Sequence, residues 1–207
     1  MTVAIIGAGP LGRWLALSAA RAGFRVLLED VMPANLHHAQ EALRQKAGPL
    51  RQAQGRLSTA VAAAASAQDD SIGGIAFVST IEEAVRNADL VIDCVPDELE
   101  SKLEILWLLD RMAPPRAVLA TPTTRLSIAD LAHCTYRPAK CIAIAAEAAA
   151  LTGKTEAANP QANSARPEIL LRTTAQTAPE TIALLERFWR QLGFAPRFEL
   201  DSAEPAR

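Results

Sequence analysis

Short apolar runs alternate along the chain with segments in which apolar residues recur at helical spacing. The first run, Val3 to Ile6, is followed by a glycine and is typical of a buried parallel strand. Apolar residues between Leu11 and Arg21 recur every three or four positions and predict a helix, and Phe24 to Leu28 forms the next apolar run. Together these segments predict one strand–helix–strand unit of about thirty residues, the usual size of such a unit.

The alternation continues to the end of the chain. Further strands are predicted at Ile75–Ser79, Ala88–Val95, Ala117–Ala120, Ala139–Ala146, Ile169–Thr173 and Phe194–Leu200. Helices are predicted within 33–67, broken at Gly48-Pro49 and Gly55, and at Ile81–Arg86, Glu98–Met112, Ser127–Ala132 with Ser127 as N-cap, and Pro179–Leu192. The segment 147–167 shows no period and is predicted to be a loop.

Strands that alternate with helices predict an α/β fold with a doubly wound, mainly parallel sheet and right-handed crossovers. The length of 207 residues fits one domain over residues 1–200, with a polar tail at 201–207. Hydrophobic residues make up 50% of the chain but aromatic residues only 4%, so the core is expected to consist of aliphatic and small side chains.

Charge and cysteine content narrow the classes of partner and compartment. Lys and Arg total 21 against 23 Asp and Glu, a net charge of −2 that gives no overall indication of nucleic-acid or anionic-membrane binding. No apolar window is long enough to predict a membrane span, and the N-terminus has no basic leader typical of a signal peptide. Three cysteines are too few for a disulfide framework, so free thiols and a cytoplasmic location are expected.

A glycine-rich motif lies between the first predicted strand and helix, the context in which G-x-G-x-x-G indicates a dinucleotide site. In GAGPLG, Gly7 allows a tight turn, Gly9 leaves room for a pyrophosphate, and Gly12 lets helix and strand pack closely. The free N–H groups at the helix N-terminus, including that of Leu11, then face the phosphates. The motif therefore predicts cofactor binding by these four residues.

An acidic residue follows at the position where such a site binds ribose. Asp30 ends the second strand, where a carboxylate accepts hydrogen bonds from the adenosine ribose hydroxyls and repels a 2′-phosphate. With Glu29 beside it and no arginine aimed at the same place, NAD is favoured over NADP. FAD is a lesser alternative, since its binding unit begins in the same way, and a chance glycine pattern at an ordinary turn is the remaining one.

With these motifs the chain resembles the NAD-binding domain of L-3-hydroxyacyl-CoA dehydrogenases, a group that includes relatives acting on free hydroxy acids. The resemblance rests on TVAIIGAGPLGRWLALSAARAGFRVLLED, NADLVIDCVPDELESKLEIL, APPRAVLATPTTRLSIADLA, RPAKCIAI and TAPETIALLERFWRQLGFAPRFEL, which follow the family's segments in order. It covers nearly the whole chain except 36–73 and 147–167. It implies a Rossmann fold that binds NAD.

The resemblance also implies roles for three further residues. Asp97, where the family has Glu, and Lys102 would lie near the nicotinamide half of the cofactor. Thr124 falls on a family serine that hydrogen-bonds substrate or nicotinamide, and it is the candidate catalytic residue. From the sequence alone, an exposed helical lysine is the alternative interpretation of Lys102.

Several positions depart from the family pattern. Ala145 aligns with the family's catalytic histidine, Leu170 with the glutamate that orients it, and Pro122 with an asparagine. The histidine exchanges a proton with the substrate oxygen during hydride transfer, and losing such a group costs roughly 10²–10⁴ in rate. The chain is also expected to lack the family's helical substrate and dimerisation domain.

Three functional hypotheses follow. The first is an NAD(H)-binding protein that is catalytically impaired, acting as a sensor or accessory subunit. The second is an active oxidoreductase on a small 3-hydroxyacyl or hydroxy acid substrate, using Thr124 with Glu147 or Glu168 as substitute base. The third is a scaffold that retains the glycines for its fold alone.

The expected partners are the nicotinamide dinucleotide, an acyl-CoA or hydroxy acid, and a second copy or another chain that supplies a second domain. No metal site is predicted. His37 and His38 are neighbours on a predicted helix and point about 100° apart, so an exposed pair is favoured over a pair of metal ligands.

Overall fold

The computed structural model describes residues 1–47, 73–146 and 166–201. The strands are β1 (Thr2–Ile6), β2 (Arg25–Glu29), β3 (Ile75–Val78), β4 (Leu90–Asp93), β5 (Val118–Pro122), β6 (Cys141–Ile144), β7 (Glu168–Thr173) and β8 (Ala195–Leu200). The α-helices are α1 (Pro10–Arg21), α2 (Pro33–Ala47), α3 (Ile81–Val85), α4 (Leu99–Met112), α5 (Ile128–His133) and α6 (Pro179–Gln191).

The strands form one sheet in the order β3-β2-β1-β4-β5-β6-β7-β8. Neighbouring strands are parallel except β6 and β7, which are antiparallel, so β7 and β8 run against the first six strands. The mainly parallel, doubly wound sheet predicted from the sequence is thus confirmed. The chain crosses from β3 to the other side of β1 to form β4, and the carboxyl ends of β1 and β4 flank the resulting switch point, where open α/β sheets bind ligands.

Helices cover both faces of the sheet. In β1, Val3 and Ile5 pack towards α1, α2 and α6, whereas Ala4 and Ile6 pack towards α3, α4 and α5. Because both faces are buried, β1 is an uninterrupted apolar run in the sequence rather than an alternating one. None of the helices in the described part of the chain is long and apolar enough to cross a membrane.

Two helix ends follow from local sequence. The Ser127 hydroxyl accepts a hydrogen bond from the Asp130 N–H at 3.3 Å, which confirms it as the N-cap of α5. At the C-terminal end of α1, Gly23 adopts φ +84°, a left-handed conformation that ends the helix at low steric cost.

Some predicted boundaries are wrong by a few residues. The strand predicted at Ala139–Ala146 is β6 at Cys141–Ile144, because a short 3₁₀ turn occupies Pro138–Lys140. The Arg137 side chain fixes the chain before that turn by donating to the Asp110 carboxylate at 2.7 Å and to the Pro114 carbonyl at 2.6 Å. The strand predicted at Ala88–Val95 is likewise shorter, and the strand predicted at Ala117–Ala120 continues to Pro122.

Part of the sequence prediction lies outside the described residues. The helical pattern within 33–67 is confirmed only over α2, on which His37 and His38 are both exposed. Most of the predicted loop at 147–167 and most of the predicted tail at 201–207 also fall outside the described ranges.

Candidate functional site

The glycine loop joins β1 to α1 at the carboxyl end of the sheet. Gly7 has φ +105°, a left-handed conformation, and its N–H donates to the Glu29 carbonyl at 2.8 Å. A Cβ built on Gly12 would lie 1.9 Å from the Gly7 carbonyl oxygen, so α1 packs directly on the loop and only glycine fits. These are the tight turn and the close packing that the motif predicts.

Gly9 faces open space. A Cβ built there would meet no atom within 4 Å, and Gly9 is the N-cap of α1 without a side chain to close the helix end. The first-turn N–H groups, which have no intrahelical partner, therefore border an open crevice together with the positive end of the helix dipole. No acidic residue occupies this first turn. The arrangement fits the phosphates of a dinucleotide.

Asp30 holds the loop as well as ending β2. Its Oδ2 accepts from the Ala8 N–H at 2.9 Å, and its Oδ1 accepts from the Met32 N–H at 2.9 Å and from Asn35 Nδ2 at 3.0 Å. A carboxylate has about four acceptor positions, so one remains for a ribose hydroxyl. The sequence indicated the ribose role but not the contact with the loop.

A second side chain contacts the same loop from the helix. Arg13 Nη1 donates to the Ala8 carbonyl oxygen at 3.1 Å. Ala8 is thus held through its N–H by Asp30 and through its carbonyl by Arg13, which rigidifies the turn between Gly7 and Gly9. Arg13 was missed at the sequence level, because nothing in the motif distinguishes it from an outward-facing helical arginine.

Glu29 is almost fully buried, with 3% of the residue exposed. Burial, with the neighbouring Asp30 charge adding to it, raises the pKa of the Glu29 carboxyl to about 7. The sequence indicated only a second negative charge beside Asp30. Near neutral pH, however, Glu29 is partly protonated and this end of the site is less negative than two carboxylates would make it.

Lys102 is not the exposed helical lysine that was the alternative at the sequence level. It is 0% exposed, and its Nζ lies 2.6 Å from Oδ1 of Asp93, which is also 0% exposed. The buried face of α4, including Ile105 and Leu109, packs Lys102 against the end of β4. Burial raises the pKa of the Asp93 carboxyl, and the Lys102 ammonium opposes that effect. The role of Lys102 near the nicotinamide stays a prediction.

The structure brings Asp97 and Thr124 together beyond the carboxyl ends of β4 and β5. Asp97 Oδ2 accepts from the Thr124 N–H at 3.2 Å, and the Asp97 carbonyl accepts from Arg125 Nη2 at 2.8 Å. Asp97 Oδ1 is buried and has no hydrogen-bond partner in the described part of the chain. Thr124 is exposed. An unpaired acceptor and a hydroxyl thus lie beside each other at this edge of the switch point.

Ala145 and Leu170 lie opposite each other where β6 and β7 pair. The Ala145 N–H donates to the Leu170 carbonyl at 2.9 Å, one step beyond the register that pairs Ile144 with Leu171. Opposite residues of an antiparallel pair project to the same face. The two positions that the resemblance aligns with the family's histidine and glutamate are therefore neighbours, and they hold a methyl and an isobutyl group.

Of the two glutamates considered as substitute bases, Glu147 and Glu168, the structure describes only Glu168. Glu147 lies outside the described residues. Glu168 is exposed at the start of β7, on the same face as Leu170 but two residues away along the strand.

We predict that Lys102→Met destabilises the protein by about 3–5 kcal/mol, since it leaves the Asp93 carboxylate buried without its partner. Adding Asp93→Asn removes the uncompensated charge and should restore most of that loss. Urea unfolding of the wild type, both single variants and the double variant measures the coupling. Additive effects of the two substitutions would show that the ion pair is energetically irrelevant.

The raised pKa of Glu29 predicts a pH-dependent stability. Between its ordinary value of 4.5 and about 7, the folded state binds more protons at this carboxyl than the unfolded state. The free energy of unfolding therefore falls as pH rises through this window, by up to about 3 kcal/mol, and levels off above it. Urea unfolding at several pH values should show this fall in the wild type and lose it in Glu29→Gln. Glu104→Gln, an exposed glutamate on α4, is the matched control, and parallel curves for wild type and Glu29→Gln would contradict the prediction.

The comparisons with known proteins agree with this geometry. A family model described as "3-hydroxyacyl-CoA dehydrogenase, NAD binding domain" matches residues 2–145. A probable 3-hydroxybutyryl-CoA dehydrogenase of Bacillus subtilis is 32% identical over 140 residues, which cover 68% of this chain and 46% of that protein. A 5-formyl-3-hydroxy-2-methylpyridine 4-carboxylate 5-dehydrogenase of Mesorhizobium japonicum is 29% identical over 195 residues, covering 94% of this chain and 55% of that protein.

Solved structures show the same fold. A diketoreductase structure has a TM-score of 0.73 at 27% identity and covers 100% of this chain and 65% of that one. Escherichia coli 3-hydroxybutyryl-CoA dehydrogenase has a TM-score of 0.74 at 24% identity, covering 97% of this chain and 38% of that one, which supports the fold alone. The chain spans about half the length of the two curated relatives described above. It belongs to the family of 3-hydroxyacyl-CoA dehydrogenase NAD-binding domains, and NAD is the cofactor of its Rossmann-type fold.

Proposed function

We propose that this chain binds NAD(H) at the glycine loop and has lost the family's hydroxyacyl chemistry, so that it acts as a cofactor-binding accessory or sensor protein. The observation behind the proposal is the pairing of Ala145 with Leu170. Two positions that align with an acid–base pair are adjacent, and neither side chain can move a proton.

The residues on the cofactor side fit the dinucleotide. The open space at Gly9 and the first-turn N–H groups of α1, including those of Leu11 and Gly12, suit the pyrophosphate. Asp30 has one acceptor position left for a ribose hydroxyl, and its charge disfavours a 2′-phosphate. Asp97 and Thr124 offer an acceptor and a hydroxyl near the nicotinamide.

At Ala145 and Leu170 there is no side chain that could accept the proton of a hydroxyl substrate. When bound, NAD supplies hydride acceptance, and NADH supplies hydride donation. A hydroxyl substrate must lose its proton as the hydride leaves, and a side chain within hydrogen-bond reach normally takes it. The alkyl groups of Ala145 and Leu170 leave that proton to solvent, at a cost of roughly 10²–10⁴ in rate.

The alternative function is an active oxidoreductase on a small 3-hydroxyacyl or hydroxy acid substrate. Its support is the exposed Thr124 hydroxyl beside Asp97, with Glu168 on the face of β7 that also presents Leu170. In that case an acyl-CoA or hydroxy acid is the substrate.

A nucleotide titration distinguishes a protein that binds NAD(H) from a scaffold that retains the glycines for its fold alone. NADH should change the tryptophan fluorescence with a Kd in the micromolar range, and NADPH should bind at least about tenfold more weakly because Asp30 repels its 2′-phosphate. Trp14 is the expected reporter, since it lies on α1 next to the glycine loop, partly exposed and edge-on to Phe194 at 6.0 Å.

Trp14→Phe assigns the signal among the three tryptophans, and calorimetry measures affinity independently of it. Failure of a folded sample to bind either nucleotide would overturn the proposal and leave the scaffold hypothesis.

Restoring the acid–base pair tests the loss of chemistry. Ala145→His with Leu170→Glu should raise the reduction of acetoacetyl-CoA by NADH above the wild-type rate, by up to about 10²–10⁴-fold. Ala145→Gln with Leu170→Gln is the matched polar control without a basic group. A wild type that already reduces the substrate as fast as the restored variant would favour the active alternative instead.

A further inference from the structure

Arg13 lies in the first turns of α1, where helical side chains point back towards the N-terminus. Its Nη1 reaches the Ala8 carbonyl at 3.1 Å, so the guanidinium lies over the glycine loop instead of extending from the outer face of the helix. The open space at Gly9 and the unpaired first-turn N–H groups lie at the same end of α1.

The charge of Arg13 is not neutralised within the part of the chain that the structure describes. Its side chain contacts a neutral carbonyl there, whereas Arg137 and Arg172 are each paired with a carboxylate, Asp110 and Asp201 respectively. A guanidinium has five N–H donors, and the Ala8 carbonyl uses one of them. A cation therefore adds its charge to the positive end of the α1 dipole, in a first turn without acidic residues.

We infer that Arg13 binds the pyrophosphate of the dinucleotide, an inference that rests on the proposed binding of NAD(H) at this loop. Asp30 holds the N–H of Ala8 and Arg13 holds its carbonyl, so the two side chains lie on either side of the loop and contact different parts of the nucleotide. Asp30 faces the adenosine ribose, and the remaining guanidinium donors meet phosphate oxygens, with which they form charge-assisted hydrogen bonds.

A purely structural role for Arg13 makes a different prediction. If the guanidinium only fixes the loop through the Ala8 carbonyl, its removal weakens the binding of every ligand of the site to a similar extent. If it contacts phosphate, the loss grows with the number of phosphate groups in the ligand. Adenosine, AMP, ADP and NADH therefore distinguish the two roles.

The experiment measures the affinity of these four ligands for the full chain by calorimetry, with adenosine, AMP and ADP also as competitors of NADH. Arg13→Gln keeps a hydrogen-bond donor near the Ala8 carbonyl but removes the charge. Arg25→Gln is the matched control, because Arg25 is an exposed arginine at the start of β2, at the end of the strands opposite to the glycine loop. Urea unfolding verifies that both variants are folded.

Arg13→Gln should weaken the binding of NADH and of ADP by about tenfold. The binding of AMP should weaken by less, and the binding of adenosine should not change. It should also reduce the dependence of NADH affinity on salt concentration, since one cationic contact is lost. Arg25→Gln should match the wild type.

An unchanged affinity for NADH in Arg13→Gln, or an equal loss for adenosine and ADP, would overturn the inference while leaving the nucleotide site intact. A wild type that binds none of the four ligands would instead refute the proposed function, and the inference with it.

Discussion

The site depends on the contact between Gly12 and Gly7. Because neither residue has a side chain, the first turn of α1 rests on the loop backbone, with no space for even a methyl group between them. A Cβ on Gly7 would in turn lie 3.2 Å from the Cys94 carbonyl oxygen, so the loop is also closely packed against the segment that follows β4. The N-terminus of α1 is thereby directed at the switch point between β1 and β4, and every other feature of the site is arranged around that placement.

Charge is distributed unevenly along the site, and the distribution follows the chemistry of a dinucleotide. At the end of β2, the Asp30 carboxyl accepts three hydrogen bonds, and partly protonated Glu29 limits the negative charge. At the N-terminus of α1, Arg13 and the helix dipole provide positive potential. At the end of β4, Asp93 and Lys102 form an ion pair inside the protein. The buried pair lies where α4 packs on β4. Because replacing such a pair by apolar side chains is often neutral for stability, positioning explains it better than net stabilisation does.

The sequence predicted the order of helices and strands because buried parallel strands are apolar runs and the helices between them are periodic. It also predicted the tight turn at Gly7 and the close packing at Gly12, because both are imposed by backbone geometry within a few residues. It did not predict the burial of Lys102, since the partner Asp93 lies on another element and periodicity does not reveal a charged group among apolar ones. The loop contacts of Asp30 and Arg13 were missed for a similar reason, as both depend on how three elements meet at Ala8.

The pairing of β6 with β7 and the glycine loop depend on side chains to different extents. The pairing of Ala145 with Leu170 is a backbone hydrogen bond, so it persists whatever side chains occupy those positions. Nearby on β7, Arg172 pairs with Ala143 of β6 and donates to the Thr123 carbonyl at 2.8 Å, while Asp201 accepts from the N–H of Ile128 at 2.7 Å. Polar groups beside Ala145 and Leu170 thus hold the strands and helix α5 together. The glycine loop differs in its open space: no atom lies within 4 Å of a Cβ built on Gly9, whereas β7 and α5 are joined to their neighbours by side chains that bond to backbone groups.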